Sequence, residues 1–121
     1  MLRLRPKILV AAGLLAVGLV SVPTGQASAS SGVCDPTGEV CMWVTNDYAG
    51  SNHITSIRVY NSRRGGTETM RWLRDQQVQN SATGNMAYPG HTFNVDIRPA
   101  SRTCIQGGIV NIARTDCWYV P

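Results

Sequence analysis

The chain has 121 residues with 11 Lys+Arg, 7 Asp+Glu, four Cys, 12 Gly and 6 Pro, a length that suits one ordinary domain and argues against two. Much of the formal charge of +4 sits in residues 1–29, which carry Arg3, Arg5 and Lys7 and no acid; without them eight arginines face seven acids, a net charge of +1. No lysine then remains, which excludes Schiff-base chemistry, and no basic block remains for nucleic acid.

The first predicted element is an export signal. Arg3, Arg5 and Lys7 form a positive leader, residues 8–20 are an unbroken apolar run, and Ala27-Ser28-Ala29 is a small-residue cleavage site after Pro23 and Gly25. A membrane-spanning helix wants about 20 apolar residues. Residues 1–29 therefore read as a cleaved secretory signal peptide, and residues 30–121 as one mature domain, secreted, extracellular, monomeric and free of the membrane.

All four cysteines, Cys34, Cys41, Cys104 and Cys117, lie in the mature segment. An exported protein keeps disulfides, and spacing alone allows three pairings. Pairing 34 with 41 and 104 with 117 is favoured, because each bond then closes a short loop containing glycine. Zinc is disfavoured: neither pair has the two-residue spacing of zinc ligands, and His53 and His91 do not form a ligand pair.

Beyond Cys34 the pattern is that of short strands. Residues 40–44 are apolar with β-branched and aromatic members. Ile57 and Val59 alternate with Ser56 and Arg58, and Phe93, Val95 and Ile97 alternate with Asn94, Asp96 and Arg98. Ile109, Val110 and Ile112 form another run, and residues 118–120 a last one. Turn chemistry separates them at Asp35-Pro36-Thr37-Gly38, Asn46-Asp47, Arg64-Gly65-Gly66, Tyr88-Pro89-Gly90, Arg98-Pro99 and Gln106-Gly107-Gly108. This predicts a small all-β sandwich or barrel. Residues 67–78 are the single helix candidate, on a partial stripe of Glu68, Met70, Leu73 and Gln77; a strand followed by a loop fits them equally.

Trp43, Tyr48 and Gly50 stand as aromatic, four residues, aromatic, one residue, glycine, a spacing similar to the first hairpin of a βγ-crystallin Greek key. Before it comes Cys34-Asp35-Pro36-Thr37-Gly38-Glu39-Val40-Cys41; after it come His91-Thr92-Phe93-Asn94-Val95 and Pro99-Ala100-Ser101-Arg102-Thr103-Cys104-Ile105. In this order these features resemble the Streptomyces metalloproteinase inhibitor family of secreted, βγ-crystallin-like peptidase inhibitors. The resemblance covers the start and later half of the mature segment and is poor over residues 54–82. Twelve residues separate Cys104 from Cys117, more than in the family's short loop, and four follow Cys117.

The resemblance implies a disulfide-bonded βγ-crystallin-like Greek-key sandwich that blocks an extracellular protease, foremost a metalloprotease. It puts the reactive bond just after the first cysteine of the second loop, here Cys104–Ile105, with Cys117 closing the loop. A loop held extended by a disulfide loses little conformational entropy on docking. A second candidate loop carries Arg63 and Arg64 beside Gly65 and Gly66: bait for a trypsin-like pocket, a processing site in an exported protein, or a plain solvated hairpin tip.

The competing expectation is a non-inhibitory extracellular binding module for calcium or a cell-wall glycan. Residues 46–51 and 51–56 each approach a calcium-binding segment but differ from it at one position, and Asp47 is their one carboxylate. Trp43, Trp72, Trp118 and Tyr119 are the aromatics that would stack on sugars if exposed. No catalytic motif stands out around His53 or His91, so neither an enzyme nor a cofactor or resident metal is expected.

Overall fold

A computed structural model describes residues 28–86 and 90–121. The segment expected to be a signal peptide, save its last two residues, and the turn expected at Tyr88-Pro89 lie outside the described residues. The described chain is built from antiparallel strands in two sheets, as the alternation of apolar and polar residues predicts.

The first sheet has the order β1-β2-β3-β6, formed by Ala29–Cys34, Val40–Asn46, Ile54–Asn61 and His91–Ile97. The second joins β5 (Gln77–Asn85), β4 (Thr67–Arg74) and β7 (Cys104–Ile109); β8 (Ala113–Arg114) and β9 (Trp118–Tyr119) share the far edge of β7. Among the described strands, chain order and spatial order diverge three times: β6 pairs with β3, β7 with β4 and β9 with β7.

Inward residues of both sheets meet in one core. Val40, Met42, Val44, Ile57, Val59 and Phe93 of the first sheet pack against Met70, Trp72, Ile105 and Ile109 of the second. Val120, just beyond β9, closes one end. Burying side chains of this size stabilises by roughly 1.5–3 kcal/mol each before the loss of chain entropy is counted.

The helix candidate over residues 67–78 is instead β4 and the start of β5. Met70 and Trp72 point inward on the period of two, and a register shift between Trp72 and Leu73 lets Leu73 be buried as well. The bulge, not a helical stripe, produced the mixed pattern. Asp75 and Gln76 both have positive φ, 47° and 71°, the backbone of a two-residue hairpin turn whose twist matches the strands.

Gln106-Gly107-Gly108, expected to be a turn, lies in the middle of β7. A Cβ added at Gly107 would sit 2.9 Å from Val59 Cγ2 and 3.2 Å from Met42 Cβ. Glycine is needed there because the facing sheet comes too close for a side chain, which is a packing demand rather than a turn signal.

Both disulfides follow the favoured pairing, Cys34 with Cys41 and Cys104 with Cys117, and among the described residues no cysteine is free. Two such bonds fit an oxidising compartment. No helix among the described residues is long and apolar enough to cross a membrane.

Candidate functional site

Cys104 and Ile105 open β7. The strand is paired on both sides here: Ile105 lies opposite Arg74 of β4 and Trp118 of β9, and Cys104 opposite Tyr119. Asp75 also clamps Cys104, its N–H donating to the Cys104 carbonyl at 2.9 Å and its carboxylate accepting from the Cys104 N–H at 3.0 Å. Ile105 is completely buried in the core. A substrate-like loop must offer a free strand edge and a side chain to the protease, and this bond has neither.

The long segment between Cys104 and Cys117 explains the difference. It is folded back on β7 rather than projected. It supplies β8, and buried Thr115 exchanges bonds with Gly107, donating its N–H to the carbonyl at 2.8 Å and accepting the Gly107 N–H on its hydroxyl at 3.1 Å.

The Arg63–Arg64 loop has the opposite character. It is exposed and joins β3 to β4 across the two sheets. Buried Asn61 ends β3, and its Oδ1 accepts the backbone N–H groups of Arg63 at 2.9 Å and Arg64 at 3.1 Å. Its Nδ2 donates to Glu39 at 3.1 Å and Glu68 at 3.2 Å. One side chain thus fixes the inner backbone of the loop.

The Cys34–Cys41 loop braces the outer side. Ser62 donates its N–H to the Glu39 carbonyl at 2.7 Å and its hydroxyl to the Gly38 carbonyl at 2.5 Å. The Arg63 guanidinium donates to the Thr37 carbonyl, and Arg64 Nε pairs with Glu39 at 2.9 Å. No disulfide lies within the arginine loop, but a neighbouring disulfide loop stiffens it through these bonds. Arg64 remains 60% exposed in its side chain.

The brace is itself held by Asp35. Its carboxylate accepts from the Thr37 hydroxyl at 2.7 Å, the Thr37 N–H at 3.2 Å and the Val40 N–H at 2.8 Å. Burial pushes this carboxyl up, but the bonds from Thr37, Val40 and Glu39 outweigh it and hold it below the ordinary aspartate value of 3.8.

His53 belongs to a cluster that sequence spacing does not reveal. Its Nδ1 lies 2.5 Å from Asp47, and its Nε2 lies 2.5 Å from Asp96, 43 residues away on β6. Only an imidazolium donates from both nitrogens. The bond to Asp47, then that to Asp96, raises the His53 pKa above 6.5, against burial and the nearby Arg98. The bond from His53 correspondingly lowers Asp96.

These two carboxylates bind opposite edges of one ring and do not converge on a point. Among the described residues no group of three or more His, Cys, Asp or Glu side chains is arranged to hold a metal. The first calcium-like segment is occupied with itself, Asn46 Nδ2 donating to the Ser51 carbonyl at 2.7 Å and Ser51 Oγ accepting from the His53 N–H at 3.0 Å. His91 begins β6 with its ring edge-on to Phe93.

Of the aromatics, Trp72 is core, and Trp118 packs against the core with its Nε1 donating to Ser31 at 2.8 Å. Trp43 and Tyr119 are exposed. The asparagine brace and the histidine bridge were both missed in the sequence, since each depends on partners brought together by strand pairing. The signals available for them were a polar residue closing an apolar alternation at Asn61 and an acid on a strand at Asp96.

No family model, curated protein or solved structure matches this chain.

Proposed function

We propose that this protein is a secreted peptidase inhibitor that presents Arg64 on the braced β3–β4 loop to a trypsin-like protease. The observation that carries this is the fixation of an exposed, arginine-bearing loop by Asn61 from within and by the Cys34–Cys41 loop from outside. A loop already ordered loses little entropy when it enters a cleft. Arg64 would occupy an acidic specificity pocket, and Arg64–Gly65 would be the bond held at the catalytic centre. The Arg64 end of the pair with Glu39 is exposed, and Glu39 keeps its bond from Asn61 when the guanidinium is released.

The βγ-crystallin-like Greek-key character belongs to the same proposal. It is supported by the tight β2–β3 connection, where Gly50 takes φ 84° and the Ser51 N–H donates to the Tyr48 carbonyl at 3.0 Å, and by the return of β6 to β3. A metalloprotease target has less support, since the bond that the resemblance selects is buried.

The test is titration of the exported protein against trypsin, with subtilisin and a thermolysin-like enzyme alongside. Stoichiometric inhibition of trypsin, lost in Arg64→Ala and kept in Arg102→Ala, is expected. Rapid cleavage after Arg64 without inhibition makes the loop a substrate and overturns the proposal. Inhibition of the thermolysin-like enzyme that survives Arg64→Ala moves the site elsewhere.

A further inference from the structure

The outward face of the first sheet carries a shallow groove of 360 Å³ lined by Ser30, Trp43, Thr45, Ser56, Arg58 and Thr92. The register explains this grouping. Gly32, Trp43, Arg58 and Thr92 are successive partners across β1, β2, β3 and β6, and Ser30, Thr45, Ser56 and Asn94 form the next row. One row combines an aromatic and a cation, and the adjacent row is hydroxyls and an amide.

Trp43 lies flat in this groove. A Cβ added at Gly32 would approach the ring-fusion atoms, Cδ2 at 3.4 Å and Cε2 at 3.5 Å, rather than the rim. The indole therefore rests face-down on β1 where glycine leaves room, and with the residue 38% exposed its other face is turned outward. Such a face suits the apolar C–H face of a pyranose ring.

Arg58 is the one charged side chain lining the groove, and no carboxylate pairs with it among the described residues. Its guanidinium stands 5.7 Å from the Tyr60 ring centre, and its Nε is buried without a hydrogen-bond partner. Asp96, two residues beyond Asn94 on β6, is engaged by His53. With Nε buried, a carboxylate arriving from solvent would meet the two terminal nitrogens of the guanidinium, whose planar fork matches it. We propose that this face binds an acidic polysaccharide of the uronic-acid type, one sugar stacking on Trp43, its carboxylate received by Arg58, and its hydroxyls bonded by the serine and threonine row.

Calorimetry of the exported protein with tri-galacturonate, and with cellotriose as the neutral control, tests this. Saturable one-to-one binding of the charged trisaccharide is expected, at least tenfold tighter than the neutral one. Arg58→Gln should remove that preference, and Trp43→Ala should weaken both ligands at least tenfold while near-ultraviolet circular dichroism still reports a folded chain. Trypsin inhibition should persist in Trp43→Ala, which separates this site from the arginine loop. Failure to bind tri-galacturonate at millimolar concentration overturns the inference, as does equal affinity for the two sugars. A dimer in sedimentation that Trp43→Ala dissociates also overturns it, because the face would then be covered by a second copy.

Discussion

Gly107 shows how much one missing side chain decides. It sits where β7 passes closest to Met42 and Val59, and a methyl group there has no space. Gly107→Ala should cost about 1–3 kcal/mol in urea denaturation, in the range of other overpacked cores. Val59→Ala should cost less in that background than in the parent, since it removes the atom in the way. Ile105 gives the complementary lesson. Ile105→Asp would bury an unpaired charge and unfold the domain. A loss of inhibition in that variant would thus report lost structure, and circular dichroism must accompany the assay.

The Cys34–Cys41 loop and the arginine loop work as one unit at the scale of elements. Asn61→Ala takes the acceptor from two backbone N–H groups and one donor from each of two glutamates. It is expected to destabilise by about 1–3 kcal/mol and to make the proposed inhibitory loop more cleavable, seen as faster trypsin cleavage after Arg64 by mass spectrometry. Replacing Cys34 and Cys41 together by alanine should cost about 2–4 kcal/mol and loosen the same loop from the other side. If cleavage rate in both variants equals that of the parent, the brace has no role in holding the loop. The β4–β5 hairpin is a different kind of element. Its outer strand is largely exposed on both faces, so β5 had no alternation to betray it in the sequence.

Charge linkage acts on the whole molecule through the His53 bridge, which ties the β2–β3 loop to β6. The folded-state pKa of His53 is raised above 6.5, so its contribution to stability is fully present below 6.5 and is lost as pH rises through the raised value. Asp96 and Asp35 are lowered, so theirs is present above 3.8 and lost as pH falls through the lowered values. The three act together between those limits. Denaturation midpoints measured from pH 5 to 9 should therefore decline on the alkaline side, and His53→Gln should flatten that decline. An unchanged slope in His53→Gln would assign the pH dependence to other groups.

The all-β class and several strand positions were legible in the sequence because they rest on local pattern: an inward–outward period of two, turn residues between runs, and cysteines close enough to close short loops. Trp43, Ile57, Val59 and Phe93 are in strands for reasons their neighbours display. The candidate sites depend on pairings at long range. Cys104–Ile105 is buried because β9 and the segment before it fold back over β7, and Gly107 is a strand residue because another sheet lies against it. Arg58 meets Trp43 through register, and His53 meets Asp96 across 43 residues of intervening chain. Local sequence determined which segments are extended and which residues alternate. Only the tertiary structure decided which side chains are free to meet a partner, because exposure is set by what packs against a strand and not by the strand itself.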